Sequence, residues 1–122
     1  MDLKLSWEHT TLGAAVFAVN GELDIYTAPE FKERLASLIE GGTHQLILDL
    51  EGLEFLDSTG LGALLGALKK IRSHDGYIDI VCTQRRILRI FKITSLDKVF
   101  GIYDSASDAL ASHKNENGRT TA

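Results

Sequence analysis

The segment QLILDLEG, residues 45–52, constrains the fold more than any other part of the chain. A strand with one wet face alternates apolar and polar residues, whereas Leu46, Ile47, Leu48 and Leu50 form a nearly continuous apolar run. Such a run belongs to a strand covered on both faces, the situation of sheets flanked by helices. Asp49 inside it reads as a structural carboxylate. The chain must therefore supply helices next to this strand, and both flanking segments have the required pattern.

Before the run, Thr27 and Glu30 have the S/T-x-x-E spacing of a capping box, and Pro29 sits in the first turn, where its missing N–H costs nothing. Phe31, Leu35, Leu38 and Ile39 then repeat on one helical face, and Gly41-Gly42 supplies the stop. After the run, Leu61, Leu64, Leu65, Leu68 and Ile71 keep helical spacing up to Arg72. Gly62, Ala63, Gly66 and Ala67 punctuate that helix. Each glycine costs up to about 1 kcal/mol of helix propensity, so close packing of a neighbour is expected there.

The remaining segments continue the alternation. Leu3, Leu5 and Trp7, then Val16, Phe17 and Val19, predict a hairpin about Leu12-Gly13. YIDIVC (77–82) predicts a further strand, RRILRIFKI (85–93) a third helix, Ile102-Tyr103 a weak strand, and Ser105 the start of a last helix through Ala109 and Leu110. From Lys114 on there is no periodicity, and residues 114–122 are expected to be a disordered tail. The chain thus reads as one α/β domain over 1–113, with a mixed central sheet of four to five strands and helices packed mainly on one side.

With 122 residues, of which 44% are hydrophobic and 25% charged, a core can form without staples. The one cysteine, Cys82, cannot form an internal disulfide and sits in an apolar run, which predicts a buried small hydrophobe and a reducing, cytoplasmic compartment. The N-terminus lacks the basic and apolar regions of a signal peptide, and no apolar run reaches the ~18 residues that cross a bilayer. A net charge of -4 disfavours nucleic acid as a ligand, because phosphate neutralisation needs a basic face. Arg85, Arg86, Arg89 and Lys92 lie opposite Ile87, Ile90 and Phe91 and read as a solvated helix face, with contact to an acidic partner as the alternative.

The stretch FLDSTGLGALL, residues 55–65, places an acid and two hydroxyls at the edge of the most apolar part of the chain. A hydrolase nucleophile elbow needs G-x-S-x-G, but Leu56 occupies the first glycine's place, and only His74 and His113 follow Ser58. Gly60, Gly62 and Gly66 have one residue too many for a dinucleotide fingerprint, and there is no phosphate-binding G-K-[ST]. Helix capping by Asp57 or Ser58 accounts for about 1 kcal/mol but needs only one of these residues. The remaining reading is a modification site. A phosphate on Ser58 would face the positive helix end and leave the helix intact, while a partner over this turn would meet about -1.5 to -2 new charges.

Three blocks carry a resemblance to a known family: GELDIYTAPEF, LILDLEGLEFLDSTGLGALL and ILRIFKITSLDKVFGIYDSASDAL. In this order and setting they resemble the anti-anti-sigma factor branch of the STAS domain family, over nearly the whole folded part. The resemblance implies the STAS fold and phosphorylation of Ser58, with Thr59 as the neighbouring hydroxyl. It implies a partner that is both anti-sigma factor and ATP-dependent serine kinase, a serine phosphatase that resets the switch, and indirect control of a sigma factor. It also implies that Asp24 helps form the kinase-facing surface, although Asp24 reads equally as a turn residue. Asp57 would orient the serine, Gly60 would let the partner backbone approach, and Leu61 and Gly62 would add contact at the rim. No catalysis, cofactor, metal, membrane or direct nucleic-acid contact is implied. The alternative within the family is a scaffold subunit of a stress-sensing assembly; the intact DSTG and the lack of a fused domain favour the switch.

Overall fold

A computed structural model describes the backbone of residues 2–11 and 13–121, and side chains over 2–10 and 13–113. Strands β1 (Leu3–Thr11), β2 (Ala14–Leu23), β3 (Gln45–Asp49), β4 (Leu53–Leu56), β5 (Tyr77–Val81) and β6 (Gly101–Tyr103) form one sheet. Helices α1 (Ala28–Glu40), α2 (Ser58–Arg72), α3 (Arg85–Ile93) and α4 (Ala106–Thr121) alternate with them. The backbone of α4 continues to Thr121, through most of the stretch 114–122 that the sequence reading expects to be a disordered tail; Leu12 and the side chains of 114–122 lie outside the described residues.

The sheet runs β1-β2-β3-β5-β6. β1 is antiparallel to β2, Trp7 facing Phe17, and the other pairings are parallel. The first half of β2 pairs with β3, and its last three residues pair with β4. β3 and β4 therefore lie end to end beside one long strand. The sheet has one strand more than the sequence predicts, because LEFL is four residues long and neither alternates nor runs continuously apolar.

The residues that made QLILDL a constraint divide between two faces. Leu46, Leu48 and Leu50 join Phe17, Val19, Phe31, Leu35, Leu64, Leu68, Ile80, Ile87 and Phe91 in one core beneath α1, α2 and α3. Ile47 and Val81 point the other way, against Ala109 of α4. Three helices thus cover one face and one covers the opposite face. Phe31 meets Phe17 edge-on at 6.1 Å, an arrangement that adds to area burial. Trp7 stacks on Phe17 at 5.6 Å, and the Arg34 guanidinium lies 5.7 Å over its ring, so Trp7 covers the β1 edge of the sheet.

The helix ends depart from the sequence reading in one respect. Thr27 occupies the N-cap of α1, but its side chain makes no cap bond, and the expected capping box with Glu30 does not form. Its hydroxyl donates to Glu22 O at 2.7 Å and accepts from Asp24 N at 2.9 Å. The turn before the helix has claimed it. At the other end the expected stop forms: Gly42 sits at φ 110, where L side chains are strained, and Thr43 N bonds back to Leu38 O. Cys82 is buried, and burial foremost pushes its thiol above its ordinary pKa. This is an inert thiol.

Candidate functional site

Because β2, β4 and β5 are parallel, the turns that leave their carboxyl ends open at the same end of the sheet. The turn after β4 is Asp57, the N-cap of α2 with extended backbone. Its Oδ1 accepts from Gly60 N at 2.8 Å, the bond expected of an N-cap acid. Its Oδ2 accepts from Ile25 N at 3.1 Å, across 32 residues of sequence. One carboxylate thereby caps α2 and ties down the turn after β2. Both oxygens are engaged in this way, so Asp57 joins the two turns.

The second turn is built by Asp24, which is buried. Its Oδ1 accepts from Tyr26 N at 2.9 Å and Thr27 N at 3.0 Å, with the Thr27 hydroxyl at 3.2 Å. Burial pushes its pKa up, but these bonds, led by the Thr27 and Tyr26 amides, outweigh burial and hold the carboxyl below its ordinary value. Asp24 is thus the turn residue that one sequence reading expected, and it also lies beside the site.

Between these two acids the side chains of Ile25 and Tyr26 project outward, 59% and 77% exposed, and Phe55 of β4 is 49% exposed. With Glu22, Asp24 and Asp57 they line a shallow hollow of about 420 Å³. Scattered exposed apolar residues need no explanation, but three around one concavity rimmed by carboxylates form a patch. Ser58, the first residue of α2, is exposed immediately beside it.

The other predicted positions separate. Thr59 and Leu61 are half-buried, and Leu61 packs on the core. Gly60 is buried, and a Cβ there would meet Leu23 O at 2.5 Å and Leu56 Cδ1 at 2.8 Å. Its bareness serves the seat of α2 on β2. Gly62 and Gly66 are exposed with nothing within 4 Å of an added Cβ, so the expected close packing is absent at both. Asp49 accepts from Glu51 N, the structural role predicted for it. The two histidines after Ser58 are engaged elsewhere, His74 against His44 and His113 with Asp79 beneath α4. The hollow's apolar members escaped the sequence reading because Ile25 and Tyr26 fall in a turn, where no periodicity marks them. The available signal was two large apolar side chains between Asp24 and Thr27, where turns are ordinarily polar.

A family model for the STAS domain matches residues 8–109. The chain belongs to the STAS domain family. It is 42% identical over 78 residues to the anti-sigma-B factor antagonist of Staphylococcus aureus, covering 64% of this chain and 72% of the relative. Among solved structures, the anti-sigma factor antagonist from Mycobacterium paratuberculosis matches with TM-score 0.82 and 29% identity, over 91% of this chain and 93% of that one. The phosphorylated form of the Bacillus cell fate determinant SpoIIAA shares the fold, with TM-score 0.71 and 21% identity over 89% of this chain and 98% of its own. In this STAS domain the DSTG segment contributes the helix cap, the exposed hydroxyl and the seat of α2 in four consecutive residues. No helix among the described residues is long and apolar enough to cross a membrane.

Proposed function

We propose that this STAS protein is an anti-sigma factor antagonist whose unmodified form binds an anti-sigma factor and releases a sigma factor, and that phosphorylation of Ser58 ends the binding. The observation that carries the reading is an exposed hydroxyl on the first residue of α2, beside the Ile25–Tyr26–Phe55 hollow. The names of the similar proteins support the antagonist role.

The chemistry follows from the position. A partner that covers the hollow and carries ATP brings the γ-phosphate to the Ser58 oxygen. That oxygen attacks the γ-phosphorus, its O–P bond forms, the bond to the β–γ bridging oxygen breaks, and the serine proton passes to a base of the partner. The chain is the substrate, and the partner supplies the catalysis. The new phosphoserine carries about -1.5 to -2 charges and faces the phosphates of the ADP just formed. Like charges in a water-poor interface repel, and desolvating the dianion adds to the cost. Within the chain the phosphate lies at the positive end of α2, so the fold keeps its shape. A serine phosphatase restores the binding form. On this reading the protein works in the cytoplasm, where it controls a sigma factor through the anti-sigma factor.

Incubation with the purified anti-sigma kinase and ATP, followed by phosphosite mapping, tests the assignment. Label is expected on Ser58 and absent from Ser58→Ala, which still binds the kinase but is not discharged from it. Label on Thr59 in both forms would show that the neighbouring hydroxyl is the acceptor.

A further inference from the structure

Helix α3 carries four of the chain's 13 basic residues in nine positions and no acid. Arg85, Arg86, Arg89 and Lys92 are all exposed, and the ion pairs among the described residues, Lys70–Glu40 and His113–Asp79, involve none of them. Two of these cations sit where a helix least tolerates them. Arg85 and Arg86 are the first two residues of α3, at its positive end, and no acid in the first turn offsets them. The N-cap residue, Gln84, gives no side-chain cap either. Its amide instead donates to Glu51 O at 2.7 Å and Leu53 O at 2.8 Å. The Gln84 bonds serve the β3–β4 connection in place of a cap, and Arg86 bonds Glu54 O, whereas among the described residues Arg85 and Arg89 have neither an ion pair nor a side-chain hydrogen bond that would offset their charge.

The placement of α3 suggests what does. It follows β5, so its amino end opens at the same end of the sheet as Asp57 and Asp24. The Gln84 bonds and a bond from Arg86 Nη2 to Glu54 O tie this end to β4, the strand that carries Phe55. The acidic, apolar hollow and the basic helix end are therefore neighbours across a short strand.

We propose that the docking face extends from the hollow onto α3, where Arg85, Arg86 and Arg89 receive carboxylates of the same partner. The inference rests on the anti-sigma factor reading above and adds to it the chemistry of the partner's surface. That surface presents an apolar element with cations to the hollow and an acidic patch to α3. A bipolar pairing of this kind fixes orientation and raises the association rate.

The test is stopped-flow association of the full chain with the purified ADP-loaded anti-sigma kinase, at low and moderate salt. Arg85→Glu and Arg89→Glu are expected to slow association about threefold or more at low salt and to flatten its salt dependence. Arg85→Glu removes a cation from the positive end of α3, so it is expected to melt no lower than wild type. Loss of rate with retained stability is a signature that a structural role would not produce. Lys69→Glu, at the far end of α2, makes the same change in net charge and serves as reference. Unchanged rates in both arginine variants, or equal slowing by Lys69→Glu, would overturn the proposal. Dissociation on Ser58 phosphorylation is read in the same apparatus. If the phosphorylated wild type stays bound, the Ser58 reading fails independently of what the arginine variants do.

Discussion

Alanine at three glycines of α2 should give opposite results within one seven-residue stretch, and the structure sets the signs. Gly62 and Gly66 face solvent with nothing within 4 Å of an added Cβ, so alanine there gains helix propensity without a clash. The expected gain is about 0.5–1 kcal/mol for each. Gly60 has the same propensity to gain, but its Cβ would lie 2.5 Å from the backbone oxygen of Leu23 and 3.1 Å from Leu23 Cγ. A backbone oxygen at the end of β2 cannot swing away as a flexible side chain does. Relief requires α2 to shift off the strand, with the buried Ala63, Leu64 and Ala67 moving with it. Overpacking of this kind costs about 1–3 kcal/mol and exceeds the propensity gain. Urea unfolding of Gly60→Ala, Gly62→Ala and Gly66→Ala should therefore place one midpoint below wild type and two above it. A Gly60→Ala midpoint at or above wild type would refute the packing argument, and losses at Gly62 and Gly66 would refute the reading of those positions as open. Gly62→Ala also reports on function, since a more stable protein that binds its partner less well would identify Gly62 as an interface residue.

Two further outcomes follow from the acids of the site. Asp57→Asn keeps one acceptor oxygen and loses the second, so either Gly60 or Ile25 loses its bond. Amide exchange measured by NMR should accelerate at one of these two residues with a stability loss of about 1 kcal/mol, and unchanged exchange at both would show that Asp57 does not join the turns. Asp24 is held below its ordinary pKa in the folded chain, so its ionised form contributes stability above the unfolded carboxyl's pKa, near 4. That contribution is lost as pH falls through the folded value. The stability gap between wild type and Asp24→Asn should accordingly narrow as pH falls below about 4, and a constant gap would contradict the assignment.

Much of this fold was legible because its signals are local. The continuous run at Leu46–Leu50 implied cover on both faces, and it lies between α1, α2 and α3 on one side and Ala109 of α4 on the other. The start of α2 at Asp57–Ser58 was equally plain. What the sequence did not announce are the second tasks of single residues. Thr27 looks like a helix cap but is engaged by Glu22 and Asp24. Gly60 is also pressed against Leu23. Asp57 also holds Ile25, and with it the exposed pair that makes the hollow apolar. The Thr27 bonds are local to its turn, whereas the last two depend on β2 and β4 lying side by side, a pairing between strands some 30 residues apart that no local pattern announces.

Titration of the purified anti-sigma factor with the unmodified chain and with the chain stoichiometrically phosphorylated on Ser58, in the presence of ADP, is the most direct trial of the switch. A dissociation constant at least tenfold weaker for the phosphorylated form, about 1.4 kcal/mol or more, is predicted, with the circular dichroism spectrum unchanged. Equal affinity of the two forms would contradict it.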